Sequence, residues 1–198
     1  MMAPPGSYTV SLSQEVDGVV TELSGPQPFE VKRLRDSALA GASSRTVADF
    51  WRTLEDTQRK SYALHGSLGK AMQRAASMKV ALQRATAAPG DLDKRIHDAQ
   101  SSLQALDTML NGPAAKRGIG ARSRPTISSR LFTVELGVGR STYGPTDTHR
   151  EQLAIVRTQL DVLSVELMEQ EAELTELVEL LEAAGAPWIE GEAMPGRN

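Results

Sequence analysis

Two well-separated segments of this chain carry small and apolar residues at alternating spacings of three and four, and each keeps that spacing for about five heptads. All members of such a set lie on one face of an α-helix, where they are available for packing against another helix. The sequence therefore predicts a mainly helical protein built around two long helices. The first set comprises Val47, Phe50, Leu54, Thr57, Ser61, Leu64, Leu68, Ala71, Ala75, Met78 and Leu82, and the second comprises Leu153, Val156, Leu160, Leu163, Leu167, Gln170, Leu174, Leu177, Leu181 and Ala184.

The composition favours an aliphatic core and argues against several classes of function. Hydrophobic residues make up 40% of the 198 residues but aromatic residues only 4%. The net charge of −3 gives no overall attraction to nucleic acid or to an anionic membrane, and no apolar run is long enough for membrane insertion. Without cysteine, neither a disulfide nor a thiolate metal site can form. The first residues lack the charged and apolar regions of a signal peptide, so the chain as written is expected to be cytoplasmic.

Charge is distributed unevenly between the two long helices. Between Arg45 and Arg84 there are eight Lys or Arg residues against three Asp or Glu, whereas between Pro145 and Glu182 there are two against ten. Helices of opposite charge attract each other along their flanks, although an exposed ion pair contributes only about 0.2 to 1 kcal/mol. The asymmetry therefore predicts that the two long helices are neighbours.

Four helices joined by turns are predicted, and their order favours an antiparallel up-down helical bundle. The polar residues Thr57, Ser61 and Gln170 interrupt the apolar sets, and we expect them to hydrogen-bond across the bundle and fix its register. The predicted bounds are 44–85 with Ser44 as the cap, 92–111 with Asp91 as the cap, 128 or 129 to 137, and 145–184 with Pro145 in the first turn.

Residues 7–34 show the alternation of apolar and polar side chains that is typical of β-strands. Asp17-Gly18 marks a turn, and Gly25-Pro26 marks an interruption before a closing strand. Two or three strands that face one way form half of a β-sandwich, which is marginal alone because it exposes an apolar face and a free edge. The predicted divisions are a short β-hairpin or partial β-sandwich at 1–36, a helical bundle at 44–184 with a mobile basic loop at 113–126, and a flexible tail at 185–198.

No catalytic, cofactor-binding or metal-binding residue is predicted. The histidines His65, His97 and His149 lie far apart in sequence and none belongs to a Glu-x-x-His motif, so a surface or boundary position is expected for each. The glutamates of the last helix form either an anionic partner surface or, as we favour, its solvated side. A narrow bundle offers them no cleft in which a carboxyl pKa would be raised for catalysis. These glutamates are Glu166, Glu169, Glu171, Glu173, Glu176, Glu179 and Glu182.

The loop 113–126 contains Gly118-Ile119-Gly120 among several cations, which suggests a site for phosphate or an acidic surface. A phosphate-binding loop lies between a strand and a helix and ends in Lys-Ser or Lys-Thr. Neither condition is met, so a flexible solvated linker is favoured. The cations of this candidate site are Lys116, Arg117, Arg122 and Arg124 of the loop, together with Arg130 beyond its end.

Two tryptophans have contrasting expected positions. Trp51 is expected, with Phe50, to cover one end of the bundle. Trp188 is expected to pack back on the last helix, and if exposed it would make a docking anchor.

The opening residues combine a Pro-Gly-x-Tyr-x-Val-x-Leu motif, an Asp-Gly turn and a final Phe-x-Val strand, and Gly144-Pro145-Thr146 opens the last helix. In this combination the sequence from 4 to 184 resembles the end of the Ig-like domain and the helical region of bacterial sortilin-like β-propeller "glycosyl hydrolase" family proteins. It departs from that family at Leu34-Arg35-Asp36-Ser37, where the family has Asp-Pro-Arg. The matching strand residues are Pro5, Gly6, Tyr8, Val10, Leu12, Asp17, Gly18, Phe29 and Val31.

The resemblance implies a C-terminal, non-catalytic accessory region of a larger exported protein, periplasmic or extracellular, that acts as a spacer, stabilising element or docking element. The propellers that give the family its hydrolase label have no counterpart in this sequence, so no catalytic residue or cofactor is carried over. The implied partners are proteins, either the propeller domains of a parent or another chain. Two alternatives stay open: a free-standing coiled-coil interaction protein that forms homo-oligomers or serves as an adaptor, and an enzyme that uses the histidines and glutamates of the bundle.

Overall fold

The computed structural model describes residues 3–34, 40–87, 90–141, 143–189 and 192. Within these residues the protein is mostly helical and opens with a two-stranded antiparallel hairpin, which confirms the predicted class. The departure from the family at Arg35-Asp36-Ser37 and most of the predicted tail lie outside the described residues. The elements are β1 (Gly6–Val16), β2 (Val19–Val31), α1 (Ser44–Leu82), α2 (Leu92–Asn111), α3 (Ala114–Gly118), α4 (Ile127–Gly139) and α5 (Asp147–Ala183).

The hairpin turns at Asp17 and Gly18, as predicted. Both residues have positive φ, at 51° and 78°, which is the requirement of a two-residue turn that matches the twist of the flanking strands. The second strand continues through Gly25-Pro26, where the register shifts by a β-bulge, and it shifts again at Leu23. The predicted interruption is therefore a bulge within one strand, and the closing strand is the end of β2.

The long helices α1 and α5 are neighbours and run in the same direction. Lys60 pairs with Asp161 and Arg74 with Thr175, each at a sequence separation of 101 residues, and a constant separation requires parallel helices. Backbone hydrogen bonds also join the residues before α1 to those before α5, and the residues after α1 to those after α5. The N–H of Ala42 donates to the carbonyl of Tyr143 (2.8 Å), and the N–H of Ala87 donates to that of Ala184 (3.1 Å).

The third position of the bundle is shared by α2 and α4, which both run against the long helices. Arg95, at the start of α2, pairs with Glu173 near the end of α5. Gly139, at the end of α4, lies against Trp51 near the start of α1. The hydroxyl of Ser128 donates to Oδ1 of Asn111 (3.0 Å), which joins the end of α2 to the start of α4. The predicted up-down succession of four helices is not confirmed, because α2 and α4 point the same way.

The core is aliphatic and follows the predicted stripes. Leu54 and Met78 of α1 and Leu163, Leu174 and Leu177 of α5 have no exposed surface. The buried polar residue Thr57 does not reach across the bundle, since its hydroxyl donates to the carbonyl of Thr53 in its own helix (2.7 Å). The prediction that this side chain fixes the register was therefore wrong, because an intrahelical acceptor satisfies the hydroxyl.

The predicted helix starts at Ser44 and Pro145 differ from the structure, whereas Asp91 lies at the predicted cap position. The cap of α1 is Ser43 rather than Ser44, because the hydroxyl of Ser43 accepts the N–H of Thr46 (3.1 Å). Asp91 occupies the cap position of α2 without a side-chain hydrogen bond. Pro145 precedes α5 instead of lying in its first turn, and the neighbouring Thr146 is the cap.

Candidate functional site

The hairpin has one apolar and one polar face. Directly paired residues of an antiparallel hairpin lie on the same face, and the face alternates along each strand. The apolar face contains Tyr8 and Phe29, whose rings stack with centroids 5.8 Å apart, together with the pair Val16 and Val19. The opposite face is mainly polar, with the pairs Ser7 with Glu30, Thr9 with Pro28, and Ser13 with Glu22, although it also carries Val20 opposite Glu15. This is the pattern of a sheet that packs on a core.

The apolar face is nevertheless exposed. Val10 and Leu12 are 56% and 59% exposed, Val16 and Val19 are 52% and 66% exposed, and Phe29 is 46% exposed. Single exposed apolar residues are ordinary on protein surfaces, whereas a contiguous group on one face marks an interaction surface. We call these five residues the hairpin face.

The bundle holds the base of the hairpin and leaves the hairpin face open. Arg33, just after β2, donates to the hydroxyl of Ser44 at the start of α1 (2.9 Å). Pro4 and Pro5, just before β1, line a small cavity with Arg45 and Arg52 of α1. The hairpin is therefore attached at the N-terminal end of α1.

The three histidines occupy separate parts of the bundle. His65 on α1 and His97 on α2 are exposed, and His149 is half-buried in the first turn of α5. Nδ1 of His149 accepts the N–H of Thr146 (3.2 Å), so this imidazole completes a capping box. Among the described residues, no three His, Asp or Glu side chains lie close enough together to hold a metal ion.

Two of the predicted acidic residues join α5 to α2. Nε of Arg95 donates to Glu173 (2.9 Å), and its Nη2 lies 3.0 Å from Glu176. The hydrogen bond from Glu173, followed by that from Glu176, raises the pKa of the Arg95 guanidinium. Glu166, Glu169, Glu179 and Glu182 are exposed, which places them on the solvated side of the helix.

The predicted basic loop contains the short helix α3, and the rest of it is irregular and exposed. Lys116 is exposed on α3, Arg117 lies on it with a side chain outside the described part, and Arg122 and Arg124 follow in the irregular stretch. Arg130 belongs to α4, where it donates to Gln152 of α5. The structure thus separates Arg130 from the other cations by giving it a partner within the bundle.

The aromatic residues at the two ends of the bundle differ in burial. Phe50 is buried, Trp51 packs against the core, and the guanidinium of Arg150 lies 5.9 Å from the Phe50 ring. Trp188, after α5, is 50% exposed, and its Nε1 donates to the carbonyl of Glu192 (3.3 Å). Ile189 is buried in the core, so the predicted flexible tail 185–198 contains a packed residue.

Four exposed apolar residues of α5 were not predicted from the sequence. Ile155, Val162, Val165 and Met168 are exposed on the side of α5 away from its core stripe. Positions 155, 162 and 165 are spaced as residues on one side of a helix, so the pattern is present in the sequence. It is weaker than the pattern of the core stripe, which alone was used for the prediction. We call these four residues the outer α5 face.

Comparison with known proteins gave no match: no protein-family model, curated protein or solved structure resembles this chain at a significant level. The resemblance to the sortilin-like propeller family therefore remains a proposal. Of the helices in the described ranges, none is long and apolar enough to cross a membrane.

Proposed function

We propose that this chain is a non-catalytic docking module, in which a helical bundle carries half of an Ig-like β-sandwich that the strands of another domain cover. The observation that carries the proposal is the exposed hairpin face on a hairpin whose other face is mainly polar. The resemblance to sortilin-like propeller proteins supports a specific form of it, in which the covering strands belong to the same exported protein and the bundle is its accessory region.

The energy of covering the hairpin face favours a linked partner. Complete burial of a Val, Leu or Phe side chain contributes about 1.5 to 3 kcal/mol, and these five side chains keep roughly half of their surface exposed. Covering them would contribute about 5 kcal/mol, whereas association of two free proteins costs about 4 to 15 kcal/mol. A covering sheet in the same polypeptide avoids most of that cost.

Hydrogen exchange of the isolated chain tests the open half-sandwich. The amides from Tyr8 to Leu12 should exchange with little protection, while those in the middle of α1 should be strongly protected, because a two-stranded hairpin is marginal alone. Strong protection of Tyr8 to Leu12 in a monomer would overturn the proposal.

A pair of substitutions separates the hairpin face from the core. Leu12→Ser should reduce binding of the dye ANS and leave the thermal midpoint of the bundle unchanged, because Leu12 is 59% exposed. Leu174→Ala, in the core, is the matched comparison and should lower the midpoint. A large loss of stability in Leu12→Ser would show that the face is already covered.

The parent protein is tested separately, by reading the DNA upstream of the Met1 codon in frame. Propeller repeats followed by further Ig-like strands would support the accessory-region form. An upstream sequence with no propeller would refute that form and leave the docking module to be explained by another chain.

The outer α5 face favours a second candidate function, a free-standing interaction protein that pairs through its helices. Sedimentation would then show a concentration-dependent dimer. Val165→Ser should weaken that dimer, because Val165 is on the outer α5 face and 52% exposed, while Glu182→Ser on the same helix should not. A strict monomer at all concentrations would rule this candidate out.

A further inference from the structure

The two edges of the hairpin differ in composition. β2 contains Pro28, a bulge at Gly25-Pro26, and the charged residues Glu22 and Glu30. β1 contains no proline, and no charged residue from Gly6 to Gln14. Proline, charge and bulges are the features with which proteins protect an edge strand from pairing with another strand. The edge of β2 is therefore protected, and the edge of β1 is open.

The pair Thr9 and Pro28 fixes which way the backbone of β1 points. A hydrogen-bonded pair exchanges two N–H to carbonyl bonds, and Pro28 has no N–H to give, so this is a non-hydrogen-bonded pair. In such a pair, the N–H and carbonyl groups point away from the partner strand. Those of Thr9 therefore point to the outer edge of β1, and by the alternation along the strand so do those of Ser7, Ser11 and Ser13.

We propose that the outer edge of β1 receives a further strand from the covering domain, so that β1 lies between β2 and the incoming strand. This inference rests on the proposed function and assigns the position of the first covering strand. The outward groups of Ser7, Thr9, Ser11 and Ser13 form the ladder, and the incoming strand extends the apolar face that Val10 and Leu12 begin.

The chemistry of the edge specifies the incoming strand. On the apolar face β1 offers no charge from Gly6 to Gln14, so a charged side chain of the incoming strand beside Val10 and Leu12 would lose water without gaining an opposite charge. The apolar side chains alternate along β1, and a neighbouring strand keeps the same alternation on each face. The partner is therefore an extended segment with an uncharged, apolar side chain at every second position.

A synthetic peptide with capped ends and the sequence of residues 7–14, SYTVSLSQ, meets this description and serves as the probe. The full chain is titrated with it, and amide exchange is followed by NMR. Exchange of the Thr9, Ser11 and Ser13 amides should slow by about tenfold or more as each gains a partner, while amides on the outer side of β2 should not change. Protection on the β2 edge, or no protection at all, would overturn the inference.

Exchanging the two members of one cross-strand pair gives matched variants. Thr9→Pro gives β1 the protection that β2 has at Pro28 and should abolish the effect of the peptide. Pro28→Thr removes that protection from β2 and should leave the response of β1 intact. The stacked contact of Tyr8 and Phe29 reports whether each hairpin has formed. If Thr9→Pro loses that contact, the test depends on Pro28→Thr alone. If the peptide then fails to slow exchange of the β1 amides in Pro28→Thr, the inference is wrong.

Failure of this inference is distinguishable from failure of the proposed function. If Leu12→Ser lowers ANS binding as expected but the peptide never protects β1, the hairpin face remains a docking surface and only the edge assignment falls. If the β1 amides of the monomer are protected before any peptide is added, the open half-sandwich itself is wrong.

Discussion

The junction between the start of α1 and the start of α5 depends on a glycine that no other residue can replace without strain. Gly144 has φ of 96°, and a Cβ placed on it would lie 2.7 Å from Cβ of Ala42 and 3.1 Å from Cγ2 of Val47. Gly66, in the middle of α1, is exposed, and a Cβ there would meet nothing within 4 Å. The same substitution to alanine should therefore have opposite effects at the two positions.

The expected magnitudes follow from these surroundings. For Gly144→Ala, a left-handed conformation costs about 1 to 2 kcal/mol and overpacking about 1 to 3 kcal/mol, so the free energy of unfolding should fall by about 2 to 5 kcal/mol. For Gly66→Ala, the helix should gain about 0.5 to 1 kcal/mol. In a chain of this size each kcal/mol moves the thermal midpoint by about 2 to 4 °C.

Urea and thermal unfolding followed by circular dichroism at the helical band measure both variants against the unmodified chain. Gly66→Ala is the matched control, since it adds the same methyl group where space is open. An unchanged stability of Gly144→Ala would refute the close approach of the two segments at Ala42, and a loss of stability in Gly66→Ala would refute the open surface of α1.

Three further predictions concern the bundle. Leu163→Ala should lower the free energy of unfolding by about 2 to 5 kcal/mol in urea titration, because Leu163 has no exposed surface. Thr146→Ala should cost about 0.5 to 2 kcal/mol by the same assay, because its hydroxyl caps α5, and an equal stability would contradict the cap. The hydrogen bond from Lys60 lowers the pKa of the Asp161 carboxyl, so its stabilising effect is present above the ordinary aspartate range and is lost as pH falls through the lowered pKa. NMR titration should show this pKa rising toward the ordinary value in Lys60→Met.

The sequence predicted the packing faces of the long helices better than their directions. The three-four spacing identified the buried side chains of α1 and α5, because the period of a helix is fixed by its geometry. It carried no information on polarity, since an apolar stripe packs equally well on a parallel or an antiparallel neighbour. The path of the chain decides that, and here the segment between Asn111 and Ile127 lets α4 continue in the direction of α2.

The candidate surface was predictable to a similar extent. The alternation around Tyr8 and Leu12 indicated a one-sided hairpin, and Asp17-Gly18 fixed its turn. That Pro28 faces Thr9 follows from the register shifts within β2, whose effect is not visible in the sequence. The unequal edges of the hairpin therefore emerged only from the structure.

The joined ends of α1 and α5 give the bundle a fixed length. Thirty-nine residues of α1, at about 1.5 Å per residue, span about 58 Å. The hairpin is attached at one end, and Trp188 lies at the other, beyond α5. The backbone hydrogen bonds at Ala42 and Ala87 join the two segments at both ends of the bundle. A partner bound at the hairpin is therefore held at a constant distance from a partner bound at Trp188.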